Sequence, residues 1–467
     1  MSSVCTSCTR FIHGKIDNVE KRKEIDIVNG PLLRNMMMFV WPIMLANILQ
    51  ITFNFADTIV VGKFASEKAL AAVGTTTPIT IFFTWGLQGL SMGANVFISR
   101  MIGAGKTDRI KNAVFCALLI GFTAGTIISF VGVIFADTFL KLLETPADII
   151  GYSSTYLKIY FSCCIAIGTF GFSTAVLRAN GDTRRPTLYL AISGVLNVIL
   201  NLVFVVMFKM NVEGVAIATL ISQFFACFMA LSRLLRNKEL IIDMGLFDRD
   251  ITITMLKYGI PSAIQNQMFS FSNMIIQSSI NSFGSDFVAA NTAANAIEEY
   301  VYVFVDAFPQ ASLTFTSQLY GAGKIKKIKD TVTEAFLLCW LGAFAIGMII
   351  YLNGPYFLSL MSNDPVVIEL GMYRLKNVTR FLFLNGLLDV MVNSIRGFGI
   401  ATLPTVITLF GVCGFRILYI YTYFASHRSP EVLYLCFPLS WLITLIVQSI
   451  IWIFVYQRKS RAISENI

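Results

Sequence analysis

The sequence predicts an all-α polytopic membrane protein, with twelve transmembrane helices in two pseudo-symmetric six-helix bundles that are parallel repeats. Three observations predict it. First, 56% of the 467 residues are hydrophobic and 13% charged, against roughly 25% charged in a soluble globular protein, and mean hydropathy is +0.70. Second, the charges fall in short runs between long apolar stretches, so the net charge of +9 reads as membrane-flanking charge and not as a nucleic-acid surface. Third, the second half repeats the first at a fixed offset.

A spanning helix needs roughly 20 mostly apolar residues. Residues 1–33 are polar, mixed in charge and without the apolar core of a signal peptide; they read as a cytoplasmic N-terminal tail. Cys5 and Cys8 there form a lone C-x-x-C, and no second pair exists to complete a metal site. The N-lobe, 34–236, holds spans near 35–61, 73–99, 112–137, 152–176, 187–208 and 213–235. A polar cytoplasmic linker, 237–254, follows. The C-lobe, 255–457, holds spans near 255–281, 289–317, 331–353, 369–394, 404–424 and 433–456, and 458–467 is a cytoplasmic C-terminal tail. Most cysteines lie inside spans and read as small apolar residues, not as disulfide partners.

Lys and Arg set the orientation. Arg10 to Arg34, Arg100 to Lys111, Arg178 to Arg185, Arg233 to Lys257, Lys324 to Lys329, Arg396 and Arg458 to Arg461 fall on one side. Fewer basic residues, among them Lys63, Lys158 and Arg374, fall on the other. The bias puts both termini in the cytoplasm. Gly103-Ala-Gly-Lys106 recurs 218 positions later as Gly321-Ala-Gly-Lys324. Arg178, Gly181 and Pro186 recur at that offset as Arg396, Gly399 and Pro404. Pro42 and Pro261 are each expected to open a first helix, and Pro309 to kink the eighth. An even number of spans per half makes the repeats parallel.

Polar groups inside spans are costly and point to cavities or partners. The first helix carries Asn47, Gln50, Asn54 and Asp57 on one stripe. Asn197 and Asn201 on the fifth, with Thr219 and Gln223 on the sixth, can join Asp57 in an oxygen-rich pocket. One carboxylate among neutral oxygens suits a proton or sodium ion and is too weakly charged for a divalent metal. The C-lobe stripes are Asn266, Ser270, Asn273 and Gln277; Glu299, Tyr302, Asp306 and Gln310; and Asn385, Asp389, Asn393 and Arg396. Asp389 can pair with Arg396 or Arg416 as a structural ion pair, or serve coupling. Glu298 and Glu299 are expected near the outer mouth, in solvent. The cavity set is thus Asn47, Gln50, Asn54, Asn266, Asn273, Gln277, Glu299, Asp306 and Asp389. Such acidic cavities attract cations, and abundant Phe and Met suit flat amphipathic ones. No catalytic set and no phosphate-binding loop is present, so the expectation is a transporter, not an enzyme, that needs no cofactor beyond a coupling ion, H+ or Na+.

Trp41-Pro42, Asn54-Phe-Ala-Asp57-Thr-Ile-Val-Val-Gly62, Leu70-Ala-Ala-Val-Gly74, Leu177-Arg-Ala-Asn-Gly-Asp-Thr-Arg-Arg-Pro186, Gln277-Ser-Ser-Ile-Asn-Ser-Phe-Gly284 and Arg396-Gly-Phe-Gly399 resemble, in order and spacing, the signatures of the multidrug and toxic compound extrusion (MATE) family. The match runs from about Gly30 to Tyr456. The resemblance implies two lobes around a V-shaped cavity, alternating access, and export of drugs and other xenobiotics by proton or sodium antiport in a bacterial inner membrane. It places the family's N-lobe cation site on Asp57, Asn197, Asn201 and Thr219, where Asn201 departs from the acid of many members. It matches Asp389 to a C-lobe acid, whose usual seventh-helix Glu partner is replaced by an amide near Gln267. Small amphipathic cations and the bilayer are the expected partners, the chain acting as a monomer. The alternatives are a lipid-linked oligosaccharide flippase, disfavoured by acidic cavity candidates, and a membrane receptor or scaffold, disfavoured by polar stripes in both copies.

Overall fold

A computed structural model describes residues 25–64, 67–236 and 246–464. The N-terminal tail with its Cys5/Cys8 pair lies outside these residues, as does most of the linker. Twelve long helical segments follow one another. They are α1 (Leu32–Phe64), α2 (Glu67–Gly103), α3 (Thr107–Leu142), α4 (Ile150–Ser162 and Cys164–Ala179), α5 (Arg184–Asn201, continued by a π-helical Leu202–Met207) and α6 (Val212–Arg236). In the second half come α7 (Arg249–Asn281), α8 (Ser285–Gly321) and α9 (Ile325–Leu352), then a single turn at Gly354–Ser359. α10 (Pro365–Asn377 and Phe383–Gly397, joined by a 3-10 turn), α11 (Thr402–Phe424, partly π-helical) and α12 (Pro430–Ser464) complete the chain. Among the described residues nine helices are long and apolar enough to span a bilayer, or ten when the halves of α4, bent by 41°, count as one. The two that fall short are α7 and α8, whose polar faces dilute their hydropathy.

Several boundaries differ from expectation. Pro42 and Pro261 do not open helices; they sit inside α1 and α7. Asp248 ends the linker early by capping α7, accepting from Asp250 N at 2.9 Å and Ile251 N at 3.1 Å, a role its short carboxylate fills well. α12 runs helical to Ser464, through most of the expected tail.

The duplication is written into the backbone. Gly105 and Gly323 have φ of +67° and +71°, and Gly181 and Gly399 have +82° and +79°. Both pairs stand at the 218 offset, where glycine meets no Cβ penalty in a left-handed helix stop. The lobes meet at the end carrying Ile25 and Ser464. There α2 crosses α7 and α8 with almost no side chain between. A Cβ on Gly93 would run into Met255 O and Gly259 N, and one on Gly89 would lie 2.7 Å from Ala263 Cα. Gly103 abuts Gln318 O while Gly321 abuts Arg100 O, a reciprocal contact on the pseudo-two-fold. Buried Asn95 accepts from Thr314 Oγ1 across the lobes at 3.1 Å, and Gln318 donates to Ala179 O at 2.6 Å.

Residues 25–31 form a strap over this seam. Ile27 is buried in the C-lobe core. Lys327 Nζ donates to Val28 O at 3.0 Å and Lys324 Nζ to Asn29 Oδ1 at 2.6 Å. Ile25 O lies 3.0 Å from where a Cβ on Gly181 of the N-lobe would stand. The C-lobe core is continuous and includes Met36, Phe39, Val40 and Ile43 of α1, with Phe39 edge-on to Phe315 at 5.4 Å. The N-lobe core is divided into separate clusters.

Candidate functional site

Among the described residues no hydrogen bond joins the lobes beyond the level of Asn47, Phe82 and Asp306. Past that level the helices bound a cleft open away from the termini, and the side chains of Gln50, Asn54, Asn273, Glu299 and Asp306 are exposed.

The N-lobe group lies in the open half, just where α5 changes to π-helix. Asn201, fully buried, donates from Nδ2 to Asp57 Oδ1 at 2.6 Å. With its amide nitrogen toward the carboxylate, Asn197 donates to both Asp57 oxygens at 2.8 and 3.1 Å, and its oxygen accepts from Thr219 N at 3.3 Å. In the opposite orientation its nitrogen donates to Thr219 Oγ1 and Ser222 Oγ, both at 3.4 Å, and its oxygen faces Asp57 and accepts from Asn201 Nδ2 at 3.2 Å. Asn201 Oδ1 is buried with no hydrogen-bond donor. The structure therefore brings together Asp57, Asn197, Asn201 and Thr219. It adds Ser222, which the sequence reading passed over for Gln223; one residue is about 100° of helix, and Ser222 is the one facing Asn197. A 3.6-residue count anchored on Thr219 reaches Ser222 as readily as Gln223.

The α1 stripe does not act as one face. Asp57 turns into its own lobe, while Asn47 reaches α8 and donates to Asp306 Oδ2 at 3.3 Å. Gln310 also donates to Asp306, at 3.1 Å, and accepts from Arg178 of the N-lobe. The floor of the cleft is thus a chain from Arg178 through Gln310 and Asp306 to Asn47. Arg178 is marked in the sequence as flanking charge and as the repeat partner of Arg396, but not as a cavity residue; the repeated pair is the signal that points to it. At the 218 offset Gln310 corresponds to Met92, and Arg396 NH1 indeed approaches Met92 Sδ at 3.7 Å.

The other C-lobe candidates separate. Asn266 and Gln267 donate to the α2 carbonyls of Trp85 and Phe82 at 3.0 and 2.6 Å, so the position of the expected acid is spent on joining the lobes. Gln277 and Gln50 bond along their own helices to Asn281 and Asn54 at 2.9 and 3.0 Å. Asp389 pairs with neither arginine. Arg396 NH2 donates instead to Gln265 at 2.9 Å and Thr405 at 3.3 Å. Arg416 donates to Ser440 at 3.0 Å and lies 4.4 Å from the Phe437 ring centroid. Glu298 and Arg374 are not at a solvated mouth. Both are buried and joined at 2.7 and 3.0 Å, with Thr379, Asn291 and Asn295 filling the remaining valences. Glu299 remains exposed. Among the described residues no three His, Cys, Asp or Glu side chains cluster as a metal site.

A family model described as MatE matches residues 42–203 and again 261–422. The "Probable multidrug resistance protein YoeA" of Bacillus subtilis is 26% identical over 91% of this chain and 94% of its own length. "Multidrug export protein MepA" of Staphylococcus aureus is 22% identical over 77% and 80%. Among solved structures, an outward-facing multidrug resistance MATE family transporter superposes with TM-score 0.87 at 20% identity, over 94% of this chain and 99% of that one. A MOP superfamily transporter from Pyrococcus furiosus gives 0.84 at 21%, over 95% and 99%.

Proposed function

The chain belongs to the MatE family, a family of membrane transporters and not of enzymes, and on that premise we propose a secondary multidrug antiporter that exports amphipathic organic cations in exchange for protons or sodium ions. The observation that carries the reading is Asp57, a carboxylate held between two amides in the open half of a cleft between repeated lobes. Asn197 can serve either protonation state by turning its amide. Its nitrogen fits an ionised Asp57, and its oxygen fits the hydroxyl of a protonated one. Exchange of a proton at Asp57 thereby reaches α5 and α6 through a half-turn of one side chain. Sodium has its own support, since the donorless Asn201 Oδ1, the Asp57 carboxylate and the Thr219 hydroxyl are hard oxygen ligands.

The bias of Lys and Arg puts the joined end and both termini in the cytoplasm of a bacterial inner-membrane protein, so the cleft faces outward. The exposed Asp306 and Glu299 give the cleft negative charge with which to attract a cation, and the chain works as a monomer. Access from the other side requires parting the α2–α7 and α2–α8 crossings. In proteoliposomes, drug addition should drive proton or sodium movement through the wild type. Asp57→Asn should abolish that movement while leaving the thermal melt within a few degrees. Unchanged antiport in the variant sinks the assignment, and separate pH and sodium gradients identify the coupling ion.

A further inference from the structure

Beneath the floor of the cleft, between α2, α4 and α8, lies a cavity of about 40 Å³ whose walls include Ser91, Asn95, Gly171, Ala175, Arg178 and Gln310. About 10–15 Å³ of such space holds one water, so there is room for one small ion or a few waters. Most of the polar groups in the walls are already engaged. Gln310 accepts from Arg178 through its oxygen and donates to Asp306 through its nitrogen. Ser91 donates to Gln88 O at 2.8 Å. Asn95 Oδ1 accepts from Ser99 and from Thr314, both at 3.1 Å, so its amide nitrogen is the end left to offer. Arg178 Nε is buried with no acceptor. A guanidinium cannot shed its charge, and one short of acceptors within a membrane span is costly.

The duplication shows what is missing. At the 218 offset Gly171, Ala175 and Arg178 correspond to Asp389, Asn393 and Arg396. In the C-lobe Asn393 Oδ1 accepts from Arg396 NH1 at 3.4 Å, and Gln265 and Thr405 accept from NH2. Beside Arg178 a hydrogen and a methyl group stand in place of that carboxylate and that amide. The space has not closed behind them, since a Cβ on Gly171 would meet nothing within 4 Å. The N-lobe keeps the cation and the room of the C-lobe arrangement and lacks its oxygens.

We propose that this cavity binds a small monovalent anion of halide size, which takes beside Arg178 the place that side-chain oxygens take beside Arg396. The anion accepts from Arg178 Nε and from the Asn95 amide; hydrogen bonds between a guanidinium and an anion are among the strong ones. Arg396 approaches from the other side, its NH1 3.7 Å from Sδ of Met92, which also lines the cavity. Asp306 lies beyond Gln310 on the floor, and its charge opposes the anion. The site rests on the packing of the floor and not on the transport reading, and its test involves no transport.

The purified full chain, in detergent and gluconate buffer, is titrated with radiolabelled chloride, and bound label is read by scintillation proximity. The wild type should bind chloride saturably, with bromide competing and the larger, divalent sulfate not. Arg178→Gln should weaken binding by about tenfold or more. Gly171→Asp puts into the cavity the carboxylate that the other half carries, and should abolish chloride binding while the protein still folds. Asp306→Asn removes the opposing charge and should tighten binding. If Arg178→Gln does not fold, Gly171→Asp decides the matter alone. No saturable binding to the wild type, undiminished binding to Gly171→Asp, or binding to Asp306→Asn no tighter than to the wild type overturns the proposal and leaves water as the occupant. Competition by sulfate as effective as that by bromide also overturns it, in favour of general attraction to a basic protein.

Discussion

Glu298 and Arg374 are buried together, joined to each other by two hydrogen bonds and to Asn291, Asn295 and Thr379 by three more. A buried pair gains little over an apolar replacement, but removing one partner strands the other charge. Arg374→Met should therefore destabilise the C-lobe by about 3–5 kcal/mol, and adding Glu298→Gln should recover part of the loss; thermal melts of the three proteins in one detergent decide this. The residue scale was only partly legible in the sequence. Asp57, Asn197, Asn201 and Thr219 stood out because polar groups are rare within spans. What spacing could not supply was direction. Asn47 and Asp57 share a stripe on paper yet serve different lobes, since α1 lies between them. Glu298 and Glu299 are neighbours, yet one is buried in an ion pair and the other exposed, a difference that hydropathy averages away.

Among the elements, α2 and α7 meet backbone to backbone. Gly89, Gly93 and Gly259 let the backbones approach until no side chain fits between them, as small residues allow in membrane helices. Gly93→Ala should force the helices apart at a cost of about 1–3 kcal/mol. It should also expose Thr314, replaced by Cys for the purpose, to a thiol reagent from the cytoplasmic side; an unaltered melt and unaltered labelling count against a tight seam here. Helix number and order were readable because each span needs its own apolar length. The break in α4 at Cys163 and the π-helical turns after Asn201 and Tyr419 were not. They leave no local signature in residue type. Yet two of the three π-helical segments among the described residues stand at the 218 offset, Leu202 against Ile420, while Leu409–Gly414 faces ordinary α-helix in the first half.

For the whole molecule, duplication explains the seam better than it explains the site. The reciprocal Gly103–Gln318 and Gly321–Arg100 contacts, and the Arg178 and Arg396 reaches across the lobes, are paired by the pseudo-two-fold. The Asp57 group has no counterpart, because Phe415 and Tyr419 stand where Asn197 and Asn201 would be. The lobes also differ in how they are filled. A continuous core fills the C-lobe, whereas the N-lobe core is divided into separate clusters. The strap of residues 25–31 ties the two at their closed end. Lys324→Met with Lys327→Met removes the two lysine ties and should increase amide hydrogen exchange over residues 25–31, with the helices beyond unaffected; equal exchange in both proteins means the strap is held by Ile27 and by Asn35, which donates to Asp26 O at 2.7 Å.

That strap also has a place in time. Val28 leaves the ribosome 299 residues ahead of its partner Lys327. At about 5–20 residues per second, the opening segment waits on the order of tens of seconds before its lysines exist. The N-lobe therefore enters the bilayer unfastened, and a segment made ahead of it is among the last to find its seat. A nascent chain arrested before Lys324 should leave residues 25–31 open to protease, and one arrested after α9 has been inserted should protect them.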